Sequence, residues 1–192
     1  MKRLLVVALF ASNFALAQSK KSIFTTFASG LAYNNQEGIG KSNSFGFATT
    51  TGLEYQYSKN IFLFCGFDFQ SLGVKKQAIN YSVEGNLSII PLNFGILVKK
   101  SQLKFAEYLK FGTGIAIVST PYAEIKNSNF IEIKSDSRIS PILQGGIGFE
   151  RNYKSNFIPY LELYSLHATA GSNLQNNGLW VFALLVGLKM KM

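Results

Sequence analysis

Ser165 and His167 are the two side chains in this 192-residue sequence whose types and spacing suit covalent catalysis. A serine oxygen becomes a nucleophile when an imidazole accepts its proton and a third group orients that imidazole. The two residues are separated by Leu166 alone, so an extended strand would point both side chains to the same face. The nearest candidate for the orienting group, Asp136, falls in a predicted loop. The pair therefore stands as an alternative, and we predict that the protein is not an enzyme.

Metal and cofactor chemistry is not predicted, because the sequence supplies few of the side chains that hold metal ions. It contains one histidine and one cysteine, Cys65, whereas a structural zinc site takes about four such ligands. Cys65 shares an apolar alternating series with Leu63 and Phe67, so we interpret it as a small apolar side chain. We expect no metal and no cofactor.

Five charged residues interrupt segments in which apolar residues alternate with glycine, alanine and other small or polar residues. They share the small-residue face of those segments: Glu54, Asp68, Lys110, Glu150 and Glu162. If that face lines the interior of a narrow barrel, these charges must pair, since an unpaired buried charge is costly. Counting along the strands places Lys110 and Glu162 at similar heights above the periplasmic end of the barrel, so we predict that they belong to one network.

The elements that carry these residues show a period of two, which is typical of β-strands. In the segment LWVFALLVGLKMKM (179–192), every second residue from Trp180 onward is apolar. Comparable alternation recurs in seven further segments, 22–33, 45–57, 61–71, 87–99, 104–118, 140–151 and 156–168. The connections alternate between short turns and longer polar stretches, and the stretch 119–137 contains two further strand-like runs, 123–126 and 130–134. This order predicts an all-β fold, an eight-stranded antiparallel up-and-down transmembrane β-barrel.

A soluble eight-stranded barrel is the main competing fold, and the composition of the second face argues against it. A soluble barrel covers its outside with charged and hydroxylated side chains, whereas here the second face is mostly glycine and alanine with sparse charges. Such a face suits a narrow interior, so the apolar face is predicted to meet lipid.

The first 17 residues have the pattern of a secretory signal peptide: Lys2 and Arg3, an apolar run, and the small residues of Ala15-Leu16-Ala17. We expect cleavage there, a barrel over 18–192, and export to the outer membrane of a Gram-negative cell. Without Lys2 and Arg3 the formal charge of +9 falls to +7.

The remaining positive charge is predicted to gather at the periplasmic end of the barrel, in a basic rim. Its members are Lys59, Lys99, Lys100, Lys104, Arg151, Lys154, Lys189 and Lys191. Such a rim has two interpretations. It can attract anionic lipid head groups, at about 1 kcal/mol per basic residue, or it can dock an acidic periplasmic partner.

Four segments give the chain a family resemblance: IIPLNFGILVK (89–99), YLKFGTGIAIV (108–118), GGIGFER (145–151) and PYLELYSL (159–166). Over residues 22–192 the sequence resembles the small outer-membrane β-barrel proteins of the Bacteroidetes, which include the PorT-like barrels of type IX secretion. The resemblance implies a non-enzymatic structural or accessory subunit of an outer-membrane assembly, in secretion or outer-membrane protein biogenesis. Its expected partners are outer-membrane lipids and other outer-membrane or periplasmic proteins, and no nucleic acid. The alternatives are a lipid A-modifying enzyme that uses Ser165 and His167, and a surface binding or adhesion barrel that acts through its loops.

Overall fold

The structure is a computed structural model that describes residues 22–36, 42–77, 82–101, 104–119, 123–125, 131–133, 137–151, 156–169 and 178–192. These residues form ten β-strands: β1 (Ile23–Gln36), β2 (Ser42–Gln56), β3 (Ile61–Gln77), β4 (Ser82–Ser101), β5 (Phe105–Ser119), β6 (Ala123–Ile125), β7 (Ile131–Ile133), β8 (Ser137–Arg151), β9 (Phe157–Ala168) and β10 (Leu179–Lys191). The eight long strands make the barrel, and β6 and β7 make a short hairpin. Within the described ranges there is no helix that could span a membrane.

The barrel is closed, because each long strand pairs with the next one in antiparallel fashion and β10 returns to pair with β1. The predicted fold is confirmed in this respect. Following the paired residues once around the barrel from Asn34 leads back to Phe24, ten residues away on the same strand. This stagger means that the strands are tilted against the barrel axis, as closure requires.

The two ends of the barrel differ in their connections. At the turn end, where β1 begins and β10 finishes, residues 57–60 join β2 to β3. At the loop end the strands run further than the apolar alternation predicted, since β3 continues to Gln77 and β4 begins at Ser82. The ladder continues there through pairs such as Lys75 with Glu84, because backbone pairing does not require an apolar face. The β6–β7 hairpin keeps the register of the β5–β8 ladder, as the two strand-like runs in 119–137 predicted.

The large apolar residues face outwards. Phe27, Leu31 and Val186 are 61%, 72% and 65% exposed, and the same outward series continues around the whole barrel. The inward series is buried, and Leu72 and Leu166 are fully enclosed. The barrel thus has an exposed apolar belt and a packed interior, which is the arrangement of a barrel that meets hydrocarbon.

Candidate functional site

Two lysines and two glutamates meet inside the barrel near the turn end, each from a different strand. We call Glu54, Lys99, Glu150 and Lys189 the lumen quartet. Lys189 Nζ lies 2.7 Å from a Glu54 oxygen and 2.9 Å from a Glu150 oxygen. Lys99 Nζ lies 3.3 Å from Glu54 and 2.9 Å from Glu150. Each charge thus touches two charges of opposite sign, and the formal charges of the quartet cancel.

Aromatic rings surround the quartet. Lys99 Nζ lies 4.1 Å from the centroid of the Phe62 ring, and Lys189 Nζ lies 4.5 Å and 4.9 Å from the Tyr108 and Tyr160 rings. These distances allow cation–π attraction, which is stronger where water is excluded. The rings and ion pairs together fill this cross-section of the barrel.

A second polar cluster lies further up the interior. Lys110 Nζ is 3.0 Å from a Glu162 oxygen, so the structure pairs the two residues that the strand count predicted to belong together. Tyr108 donates a 2.7 Å hydrogen bond to the other Glu162 oxygen, while Asn93 donates a 2.8 Å hydrogen bond to Asp68. In the described part of the chain Asp68 has no cation within ion-pair distance.

The structure corrects the predicted rim at two positions. Lys99 and Lys189 are 6% and 1% exposed and belong to the lumen quartet, so they are not rim residues. The physical reason is the strand alternation, which turns both side chains inward, where Glu54 and Glu150 neutralise them.

The predicted lining of glycine and alanine was also incomplete. Large inward residues share the interior with the small ones and close it: Phe24, Phe62, Phe64, Leu72, Leu97, Tyr108, Ile142, Tyr160, Tyr164 and Leu185. The sequence pattern placed Tyr160 on the inward face, but Phe62 and Tyr108, which also contact the quartet, were missed although both lie on the inward-facing parity of their strands. That parity is the signal that identifies them.

The other predicted rim cations lie at the surface of the turn end. Lys59, Lys100, Lys104, Arg151 and Lys191 are exposed. Lys154, the remaining predicted member, lies outside the described residues. These five exposed cations form the basic rim in the structure.

Ser165 and His167 both face outwards on β9, as the alternation predicted, but each contacts a group other than its pair. The Ser165 hydroxyl points to the Gly145 carbonyl oxygen at 3.4 Å, and the described residues show no hydrogen bond between Ser165 and His167. The His167 ring instead stacks on Trp180, with 4.3 Å between the centroids. Cys65 is exposed on the same outer surface, and no cluster of metal-binding side chains occurs among the residues that the structure describes.

Comparison with other proteins places the fold. No family model matches the chain, and no curated protein matches it. Among solved structures, the chain is similar to Neisserial surface protein A, with 11% identity over 91% of this chain and 100% of that one, at a TM-score of 0.59. It is also similar to Ail, the attachment invasion locus protein of Yersinia pestis, solved in complex with the heparin analogue sucrose octasulfate. That match has 17% identity over 88% of this chain and 99% of that one, at a TM-score of 0.50. At these identities the likeness concerns the fold, a closed eight-stranded antiparallel barrel of the outer-membrane kind.

Proposed function

We propose that this protein is a non-enzymatic outer-membrane barrel that serves as a structural or accessory subunit of an outer-membrane assembly, of the PorT-like kind. The observation that carries the proposal is the filled interior, which the lumen quartet and its surrounding rings occupy near the turn end. An eight-stranded barrel whose interior is filled by side chains at one level has no open path for a solute from one end to the other. Such a protein acts through its outer surfaces.

The exposed apolar belt supports the membrane location. Side chains such as Phe27, Phe111 and Val186 are each more than half exposed, and a soluble monomer rarely presents such a large apolar area. Lipid hydrocarbon is a suitable surrounding for this apolar belt. A closed barrel also leaves no strand edge with unpaired backbone groups in the hydrocarbon.

The basic rim supplies the docking surface in this proposal. Quartet lysines are neutralised inside the barrel, whereas Lys59, Lys100, Lys104 and Lys191 project at the turn end. Positive charge on a rim attracts a partner whose surface is acidic, and it does little to attract a partner whose surface is neutral. We therefore assign the partner an acidic face on the periplasmic side.

The test is a mild-detergent pull-down of the tagged protein from native outer membranes, followed by mass spectrometry. The test variant carries Lys100→Glu and Lys104→Glu, two exposed rim positions. The control variant carries Lys126→Glu and Lys134→Glu, the same charge change in the chain segment between β5 and β8. We expect a stoichiometric partner with the wild type and the control and its loss with the rim variant. Retention by the rim variant, or a wild type that purifies alone, would contradict the proposal.

A further inference from the structure

One row of paired residues on the outer surface places two small side chains between large apolar ones. Across β5, β8, β9 and β10 the backbone register pairs Phe111 with Gly145, Gly145 with Ser165, and Ser165 with Phe182. All four lie on the outward series of their strands. Two small residues thus stand between two phenylalanines, and we call this depression the Gly145 notch.

The notch is open. A Cβ atom added at Gly145 would meet only the Ser165 hydroxyl oxygen, at 3.9 Å. Gly73 on β3 is the other glycine that faces outwards within the described long strands, and a Cβ there would meet only the Phe45 carbonyl oxygen, at 3.7 Å. Gly73 therefore offers a matched control position elsewhere on the same outer surface.

The notch is part of a groove of about 340 Å³ in the outer surface of the barrel wall. Aliphatic and aromatic side chains border it: Leu109, Phe111, Ile147, Leu163 and Phe182. Its lining includes no charged side chain, and the Ser165 hydroxyl in its floor is directed to a backbone carbonyl. Such a mostly apolar lining matches hydrocarbon.

The next outward row toward the loop end is more polar than the groove. It pairs Thr113 with Leu143, Leu143 with His167, and His167 with Trp180. Tryptophan and histidine have an apolar body and a polar tip, and tryptophan is enriched where a membrane meets water. The apolar groove suits the acyl chain of a lipid, and the neighbouring row with its imidazole and indole groups suits the polar head group of the same molecule.

We propose that the Gly145 notch binds one straight acyl chain of a membrane lipid, with the head group directed toward His167 and Trp180. Phe111 and Phe182 hold the chain from both sides, and Gly145 and Ser165 allow it to approach the backbone. A protein strand is a poorer occupant, because all eight long strands are already paired on both edges. This inference rests on the proposed membrane location.

Trp180 is the single tryptophan of the chain, so its fluorescence reports on this site without labelling. The full-length protein is reconstituted into phosphatidylcholine vesicles in which a small fraction of the lipid carries bromine atoms on a straight acyl chain. Bromine quenches a nearby indole, so the dependence of quenching on that fraction gives the relative affinity of the site. The same titration is run on Gly145→Leu, which fills the notch, on Ser165→Leu, which fills it from the neighbouring strand, and on Gly73→Leu.

For the wild type and Gly73→Leu we expect quenching in excess of random lipid mixing, and we expect this excess to be lost in Gly145→Leu and Ser165→Leu. If quenching of the wild type were no greater than random mixing of the brominated lipid predicts, the proposed acyl-chain site would be wrong. The membrane location would be unaffected by that result. An absence of quenching at any fraction would instead refute the membrane location itself. Two leucine variants that keep the excess would also overturn the notch as the binding site.

Discussion

Lys189 is a charged side chain with 1% exposure, held between two carboxylates of the lumen quartet. Replacing it by methionine keeps most of the volume and leaves Glu54 and Glu150 with Lys99 as their shared cation. Breaking a buried ion pair from one side costs about 3–5 kcal/mol, because the remaining charge stays buried. We expect Lys189→Met to lower the free energy of unfolding by that amount, measured by urea unfolding in lipid vesicles.

Lys191 provides the matched control, since it lies two residues further along β10 and is exposed. Lys191→Met should change the free energy of unfolding by less than about 0.5 kcal/mol. The double variant Lys189→Met with Glu54→Gln restores the charge balance, so it should lose less stability than the two single changes added together. Equal losses for Lys189→Met and Lys191→Met would show that the quartet does not stabilise the barrel.

The pair Ser165 and His167 yields a prediction about chemistry at the same scale. Ser165 is directed to a carbonyl and His167 stacks on Trp180, so the structure shows no base beside this hydroxyl among the described residues. Cells with His167→Ala should therefore show the same lipid A profile by mass spectrometry as cells with the wild type. A loss of one acyl-trimmed lipid A species in the variant, with the barrel still folded, would restore the lipid A-modifying enzyme as the function.

At the scale of the elements, the seam between β1 and β10 decides whether the barrel closes. Gly30 on β1 pairs with Leu185, and a Cβ atom there would overlap the Leu184 carbonyl oxygen of β10. The overlapped atom is backbone, so one of the two strands would have to shift. Overpacking of this kind costs about 1–3 kcal/mol.

We therefore expect Gly30→Ala to reduce the folded fraction in vesicles, seen as less of the compact, heat-sensitive form on a denaturing gel. Gly73→Ala serves as the comparison, because its added Cβ would make an ordinary contact with Phe45. If both alanine variants folded with the wild-type yield, the close approach of β1 and β10 would not limit closure.

The elements also show why some features followed from the sequence and others did not. Alternation within one strand assigned the faces, and it placed Lys99 in the same inward series as Asn93 and Gly95. The contacts of Lys99 with Glu54 and Glu150 depend on which strands meet across the interior. That is set by the stagger of the closed ladder, a property of all eight strands together. The sequence also did not predict how far the strands extend at the loop end. There the strands pair through polar residues, which show no apolar alternation.

At the scale of the whole molecule, the two halves of the interior differ in how completely their buried polar groups are paired. Toward the loop end, side-chain atoms of Asn34, Ser44, Gln70 and Gln144 are buried without a partner among the described residues. Buried polar groups of this kind are commonly satisfied by internal water. Toward the turn end the quartet and its aromatic rings fill the cross-section. Water that enters from the loop side therefore meets a plug before it reaches the other side.

This asymmetry predicts the electrical behaviour of the barrel. A planar lipid bilayer that contains the purified protein should show no stepwise ion currents, because an ion that passed the quartet would have to break several buried ion pairs at once. A large-pored porin, added afterwards to the same bilayer, verifies that insertion and recording work. Discrete currents from this protein would show that the plug opens, and the proposal of a barrel that acts only through its outer surfaces would then fail. Silence in the presence of a working porin would agree with a barrel that acts through its outer surfaces.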